Sequence, residues 1–310
     1  VKDKFSHLLE PIAFSAVEVN KSEEFEDRIS GLNDKLLAAS FQNHIISSTR
    51  YRFVYNSPAV KSKKRTSLYY DGSIESAGNI LNAFYTLTNQ PKDPVLDAYK
   101  IVGIQFAQYV KTQHDLRLNN KINDKSSFVF RVLGGVGVPM QNLSDALPFE
   151  KSFFAGGTDK NRAWKARSLG PGSFRDSVLR FDKIGEVLLE GNAEYRFDLL
   201  GFLDGAIFVD AGNIWLMNED SLRPGSQFKF NSFANQIAIG TGFGIRVDLE
   251  FFLFRFDVAF PLKNPSLVEG ERWFFQPKEE YDRYLETIKN ISQVPRLYPV
   301  QFNFGIGYPF

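Results

Sequence analysis

The chain has 310 residues, 37 Lys and Arg against 36 Asp and Glu, and no Cys. This excludes a disulfide framework, a thiolate metal site and a thiol nucleophile, and it argues against the basic surface of a nucleic-acid-binding protein. Phe is abundant at 31 residues, yet no stretch approaches the ~18 uncharged apolar residues of a membrane helix. Mean hydropathy is slightly negative at -0.24, which suits either a soluble all-β protein or a barrel whose strands are apolar on their lipid face alone.

The chain opens at Val1 without a basic stretch and an apolar core, so no signal peptide is visible and it reads as a mature or truncated product. Five strands are expected in the first half, over roughly 11–18, 36–55, 66–84, 100–116 and 126–138. Their alternation is the more polar, as fits strands reaching water above a bilayer. Lys61-Ser-Lys-Lys-Arg65 reads as a solvated basic turn. Gly134-Gly-Val-Gly137 lacks the Lys-Ser/Thr of a phosphate-binding loop and reads as small inward residues or a bend.

The longest connection, 139–183, contains Phe153-Phe-Ala-Gly-Gly-Thr-Asp-Lys-Asn-Arg-Ala-Trp164 and then Ala166-Arg-Ser-Leu-Gly-Pro-Gly172. Clustered Gly permits close backbone approach, and an Arg and a Trp are costly to leave without partners. This loop is expected to pack into a barrel lumen.

Five clearer strands follow, over 187–197, 205–215, 232–246, 250–260 and 298–310. Period two places Glu190, Asn192, Glu194 and Arg196 on one face of the first, and Phe208, Asp210 and Gly212 on the same face of the second. Arg255 and Asp257 turn inward beneath Phe254, Phe256 and Phe260; Arg246-Val247-Asp248 reads as a tight turn. In the last strand Val300, Phe302, Phe304, Ile306, Tyr308 and Phe310 point one way, and Gln301, Asn303, Gly305, Gly307 and Pro309 the other. Six apolar outward positions would make an aggregation-prone edge in water, and suit lipid. Connections alternate between short turns and long polar loops, the layout of an outer-membrane barrel. Within the long loop 261–297, the charged stretch 277–290 reads as a short solvated helix.

The three His residues, His7, His44 and His114, show no spacing with Ser and acid. A phospholipase-like site at His44 lacks a Ser nucleophile signature, and 145–150 has no metal-ligand spacing. The expectation is no enzyme, no catalytic residue, no cofactor and no metal. The fold expected is all-β: a transmembrane antiparallel β-barrel to which this chain gives about ten strands, with a closed ten-stranded barrel as the alternative and with work that is mechanical and membrane-based.

On these residues the chain resembles the BamA/TamA family of outer-membrane insertases, also called the bacterial surface antigen family. The resemblance rests on Asn161-Arg-Ala-Trp164, Ser168-Leu-Gly-Pro171, Gly191-Asn-Ala-Glu-Tyr-Arg-Phe197 and Phe208-Val-Asp-Ala-Gly-Asn-Ile-Trp215, in that order. It is strong over 153–310 and looser before. The family's loop tip is Arg-Gly-aromatic after a small apolar residue; here Ala163 replaces Gly and Asn161 the apolar residue. In these departures the chain is similar to the BamA-like proteins of Bacteroidetes, including the lipoprotein form TamL.

The resemblance implies a sixteen-stranded barrel with the loop between its eleventh and twelfth strands. The whole chain, 1–310, would then be the C-terminal portion, with 139–183 inserted in the lumen and 261–297 extracellular; the first strands and any POTRA domains would precede it. It implies Arg162, Ala163 and Trp164 as loop tip, Glu194 and Asp210 as the lumen partners of Arg162, and Phe208 packed beside it. The function implied is insertion of proteins into the bacterial outer membrane. A lateral seam would run along the last strand, at Phe302, Phe304, Gly305, Gly307 and Phe310; for the two glycines, plain small lumen residues are the alternative. Implied partners are outer-membrane lipid and LPS, client outer-membrane proteins, and assembly subunits or a periplasmic TamB-like protein. A two-partner secretion pore and a plain porin are the alternatives.

Overall fold

Strands whose side chains alternate with period two join into a sheet with two chemically distinct faces, and this chain forms one ten-stranded antiparallel sheet of that kind. The computed structural model describes residues 5–23, 26–27, 34, 36, 40–57, 65–140, 142–143, 146–175, 183–249, 251–279, 282 and 299–310. The readings of Lys61–Lys64, of Asp145 and of most of 277–290 lie outside the described residues.

The strands are β1 (Phe5–Val17), β2 (His44–Asn56), β3 (Thr66–Ala77), β4 (Lys100–Ile101), β5 (Ile104–Gln105), β6 (Gln108–Asn123), β7 (Ser126–Met140), β8 (Val187–Asp198), β9 (Leu203–Trp215), β10 (Ala238–Asp248), β11 (Leu253–Lys263) and β12 (Gln301–Ile306). Apart from the small β4–β5 hairpin, each strand pairs with the next in the chain, so β1 and β12 are the two edges. Connections at one end are short (57–65, 124–125, 199–202, 249–252), and at the other long (18–43, 78–107, 141–186, 216–237, 264–300). This is the expected alternation.

The outer face carries exposed Phe130, Val132, Ile207, Val209, Phe243, Ile245, Phe256, Phe302 and Phe304, a contiguous apolar surface far beyond what a water-facing sheet carries. The inner face holds buried Glu75, Asp115, Arg131, Glu190, Glu194, Asp210, Arg246, Arg255 and Asp257. The described residues of loop 141–186 lie against it. Leu133 of β7, Leu188 of β8, Ile214 of β9 and Ala238 of β10 form one cluster with Phe153, Ala155 and Leu169 of the loop.

Several boundaries differ from the sequence reading. The strand read over 66–84 ends at Ala77; Gly78 takes a left-handed conformation (φ 67°) and a helix, α1 (Asn79–Leu87), follows. The strand read over 100–116 is the β4–β5 hairpin followed by β6, which begins only at Gln108 and runs on to Asn123. β10 starts later than read, after a 3-10 turn at Phe233–Gln236, and continues through Arg246 to Asp248. The largest correction concerns the C-terminus. Alternation in β12 stops at Ile306, because Gly307 has φ 82°. The chain then turns, and Phe310 lies on the inner face with its ring 5.7 Å from the Arg162 guanidinium carbon, instead of pointing outward with Phe302 and Phe304.

Candidate functional site

The loop tip reaches the inner face where β8 to β12 run side by side. Arg162 has no exposed surface. Its Nε and Nη2 donate to the two carboxylate oxygens of Asp210 at 2.8 and 2.9 Å, the paired geometry a planar guanidinium fork favours. Its Nη1 donates to Glu194 at 2.5 Å and lies 3.5 Å from Asp257. The backbone N–H of the same residue donates to Asp210 at 3.1 Å. The guanidinium carbon stands 3.4 Å from the centre of the Phe208 ring, a cation–π contact in a dry setting. Burial works against the charge, but the carboxylates of Asp210, Glu194 and Asp257 outweigh it and hold Arg162 above its ordinary pKa.

The structure therefore brings together Arg162, Glu194, Asp210 and Phe208. Ala163 is buried at the tip and packs with Phe208 and Ala259, with Trp164 half-buried alongside. Any side chain at Gly240 of β10 would collide with Ala163. Bare backbone on the strand is thus what lets the tip come this close. Gly135 and Gly137 of β7 serve the base of the loop likewise, since side chains there would meet Phe153 and Leu147. In the glycine run 134–137 this supports the reading as small inward residues for Gly135 and Gly137, while Gly134 lies on the outer face with Phe130 and Val132.

Four further side chains complete the cluster. Arg246 donates to Asp257 at 2.5 Å and to Glu194 at 3.2 Å. Arg196 donates to Glu194 at 2.8 Å. Arg255 donates to Asp159 of the loop at 2.7 Å, and Arg131 donates to the Asp159 carbonyl at 2.8 Å. Arg162, Arg246, Glu194 and Asp257 have no exposed side-chain surface; charges this deeply buried are tolerated only when each is paired, so these four form one unit. Parity had already turned Arg255 and Asp257 inward; nothing in the sequence joined them to Arg162. Arg246, read from the sequence as part of a turn, belongs to β10 and faces inward.

A second anchor holds the loop's base. Glu75 of β3 accepts from Lys151 of the loop at 2.7 Å, from Tyr109 at 2.7 Å and from Arg50 at 2.9 Å. No motif singled out these residues.

Along β12, Phe302 and Phe304 are exposed on the outer face, while Gly305 lies under the Arg255 guanidinium, where a Cβ would come within 2.6 Å. The small-residue reading thus has a concrete cause at Gly305, and Gly307 makes the turn. Phe310 is apart from the other seam candidates: Arg131, Arg162 and Arg196 all stand within 6 Å of its ring. At His44, Nε2 bonds Glu150 at 2.7 Å and Nδ1 bonds the Gln42 carbonyl at 2.8 Å. Both ring nitrogens are taken, which leaves neither to activate a hydroxyl.

Residues 96–310 match the Omp85 superfamily domain. A search of curated protein sequences finds no match. Among solved structures the chain is similar to CdiB from Escherichia coli, at 11% identity and TM-score 0.46, over 85% of this chain and 37% of that one. It is also similar to BamA from Haemophilus ducreyi lacking POTRA domains 1-3, at 11% identity and TM-score 0.41, over 84% and 58%. For CdiB from Acinetobacter baumannii the values are 11% identity, TM-score 0.32, and coverage of 75% and 41%. The chain thus spans between 37% and 58% of the length of these structures.

Proposed function

The chain belongs to the Omp85 superfamily, and from that premise we propose that it is the C-terminal part of a bacterial outer-membrane barrel that inserts other proteins into the membrane. The observation that supports this reading is the pinned loop tip. Arg162 sits without exposed surface between Glu194 and Asp210, and the loop behind it fills the inner face. A plain porin keeps a water-filled interior instead.

The apolar outer face is the lipid-facing wall, and the inner face is the lumen. This reading puts the lateral seam along β12. One side of β12 pairs with β11, and no strand among the described residues pairs with the other. Backbone polar groups left open in lipid cost several kcal/mol each, so such an edge accepts a further strand by β-augmentation. Phe302 and Phe304 would face lipid along this seam, with Gly305 and Gly307 on its lumen side. Client outer-membrane proteins supply the added strands; outer-membrane lipid and LPS surround the wall; assembly subunits or a periplasmic TamB-like protein are the accessory partners of this reading.

The test is replacement of the native gene by the Arg162→Ala variant. Reduced amounts of several unrelated outer-membrane barrels, with the variant itself still present in the membrane, are expected. Undiminished barrels would sink the insertion reading. Loss of one secreted protein with all barrels intact would point to the two-partner secretion pore.

A further inference from the structure

Helix α1 lies in the long connection between β3 and β6, away from the loop-tip cluster, and it carries an apolar face that nothing among the described residues covers. Its opposite face is well packed. Leu81 and Tyr85 sit on the buried cluster of Ile45, Tyr99 and Phe106, with the Tyr85 ring stacked 5.3 Å from Tyr99 and 6.1 Å from Phe106. Asn79 donates to Ser76 at 2.9 Å, and Asn82 to Gln108 at 3.2 Å.

Parity shows on which side of the wall this packing occurs. Ile45 shares its face of β2 with Tyr51, and Tyr51 pairs with Ile74 of β3, which is exposed on the outer face. Ser76 shares that face with Ile74. Gln108 shares its face of β6 with Leu116 and Leu118, also exposed. Every anchor of α1 that reaches the large sheet through a side chain here therefore lies on the outer face. Gly78, in a left-handed conformation, makes the turn from β3 into α1, and a side chain there would collide with the Ala107 carbonyl.

The uncovered face consists of Ile80, Phe84 and Leu87, exposed by 74%, 58% and 82%. Their spacing of four and three residues makes one stripe along a helix. From Asn79 to Gln90 there is no charged residue. Val102, at the tip of the β4–β5 hairpin packed into the same cluster, is 93% exposed.

We infer that α1 is an interfacial foot: it lies at the boundary of the outer leaflet and sinks Ile80, Phe84 and Leu87 among lipid chains beside the barrel wall. Continuity with the lipid-facing wall argues for lipid as the occupant, as does the lack of charge on the stripe. Amphipathic helices bind membrane surfaces through buried apolar area of this kind, with Phe and Leu among the side chains that sink into the acyl boundary. The foot would fix the depth of the wall at β2, β3 and β6. The inference rests on the barrel reading above.

The absence of Cys allows single-site spin labelling without background. Labels are placed at Phe84→Cys and Leu87→Cys, with Ile207→Cys on the outer face of β9 and Lys125→Cys in the β6–β7 turn as references. The protein is reconstituted into vesicles containing LPS, and collision with oxygen and with a water-soluble nickel chelate is measured. The labels at 84 and 87 are expected to match 207, with an oxygen-to-nickel ratio several-fold above that at 125. A water-like ratio at 84 and 87, with 207 still lipid-like, overturns the foot and leaves the barrel standing. Spin–spin broadening at 84 that vanishes on dilution with unlabelled protein overturns it too, in favour of a second copy as the occupant. A water-like ratio at 207 removes the barrel reading, and the foot with it.

Discussion

Asn303, on the last strand, donates its side-chain amide to the backbone carbonyl of Arg162 at 3.0 Å. The two residues are 141 positions apart, and through this bond the loop tip touches the strand at the sheet's edge. Arg162 is thus tied through its guanidinium to β8 and β9, and through its carbonyl to β12. Asn303→Ala is expected to cost about 1 kcal/mol, the usual net worth of a neutral hydrogen bond. It should also raise protease cleavage within 153–164, as read by limited proteolysis; unchanged cleavage would mean that the bond does not hold the tip.

Arg162→Ala leaves Glu194, Asp210 and Asp257 facing one another with one cation fewer. Removing one partner of a buried ion pair costs about 3–5 kcal/mol. The expected outcome is a folded, heat-modifiable band on unheated gels that is lost at a lower temperature than in the wild type. Arg162→Lys should recover little of this. A single ammonium cannot pair with both oxygens of Asp210 while reaching Glu194.

Gly240→Leu would push a side chain into Ala163. Overpacking of this kind typically costs about 1–3 kcal/mol. The β10–β11 register shifts between Ile239 and Gly240, but β10 pairs regularly with both neighbours from Thr241 to Val247, so the barrel should form while the tip is lifted. A variant that assembles normally yet exposes 153–164 to protease is the expected result. Equal protection in variant and wild type would count against close docking at this point.

Gly307→Val asks a β-branched residue to take a φ near 82°, which costs about 1–2 kcal/mol. Relief comes from extending β12, which swings Tyr308 and Phe310 away from Arg196 and Arg162. A Phe310→Trp reporter combined with this change should lose protection from a water-soluble quencher. No change in quenching would show that the turn persists without glycine.

Much of the wall was legible because a strand that faces lipid on one side and charge on the other must alternate. Counting by twos from Phe208 to Asp210, and from Glu190 to Glu194, was enough to turn the carboxylates inward. The same count continued through Gly240, Gly242 and Gly244 would have turned Arg246 inward as well; reading a turn at that point stopped it two residues early. Helix α1 was missed because Thr66 to Ala77 alternates so regularly that the pattern was carried past Gly78, where spacing changes to that of Ile80, Phe84 and Leu87. Phe310 was misplaced for a related reason: alternation predicts direction only while the backbone stays extended, and Gly307 does not. The anchor at Glu75 was invisible, since Lys151 reaches it from 76 residues away and no local spacing records such a meeting.

Five consecutive strands each place something against Arg162 or the residue beside it: Glu194 from β8, Asp210 and Phe208 from β9, Gly240 from β10, Asp257 from β11 and Asn303 from β12. A slip of one residue in any of these pairings would turn that strand's contribution to the opposite face. The tip can settle only when all five registers are right. Docking of one arginine thus proofreads the zipping of half the sheet, and a barrel that has closed on a wrong register is left with its loop undocked and open to proteolysis.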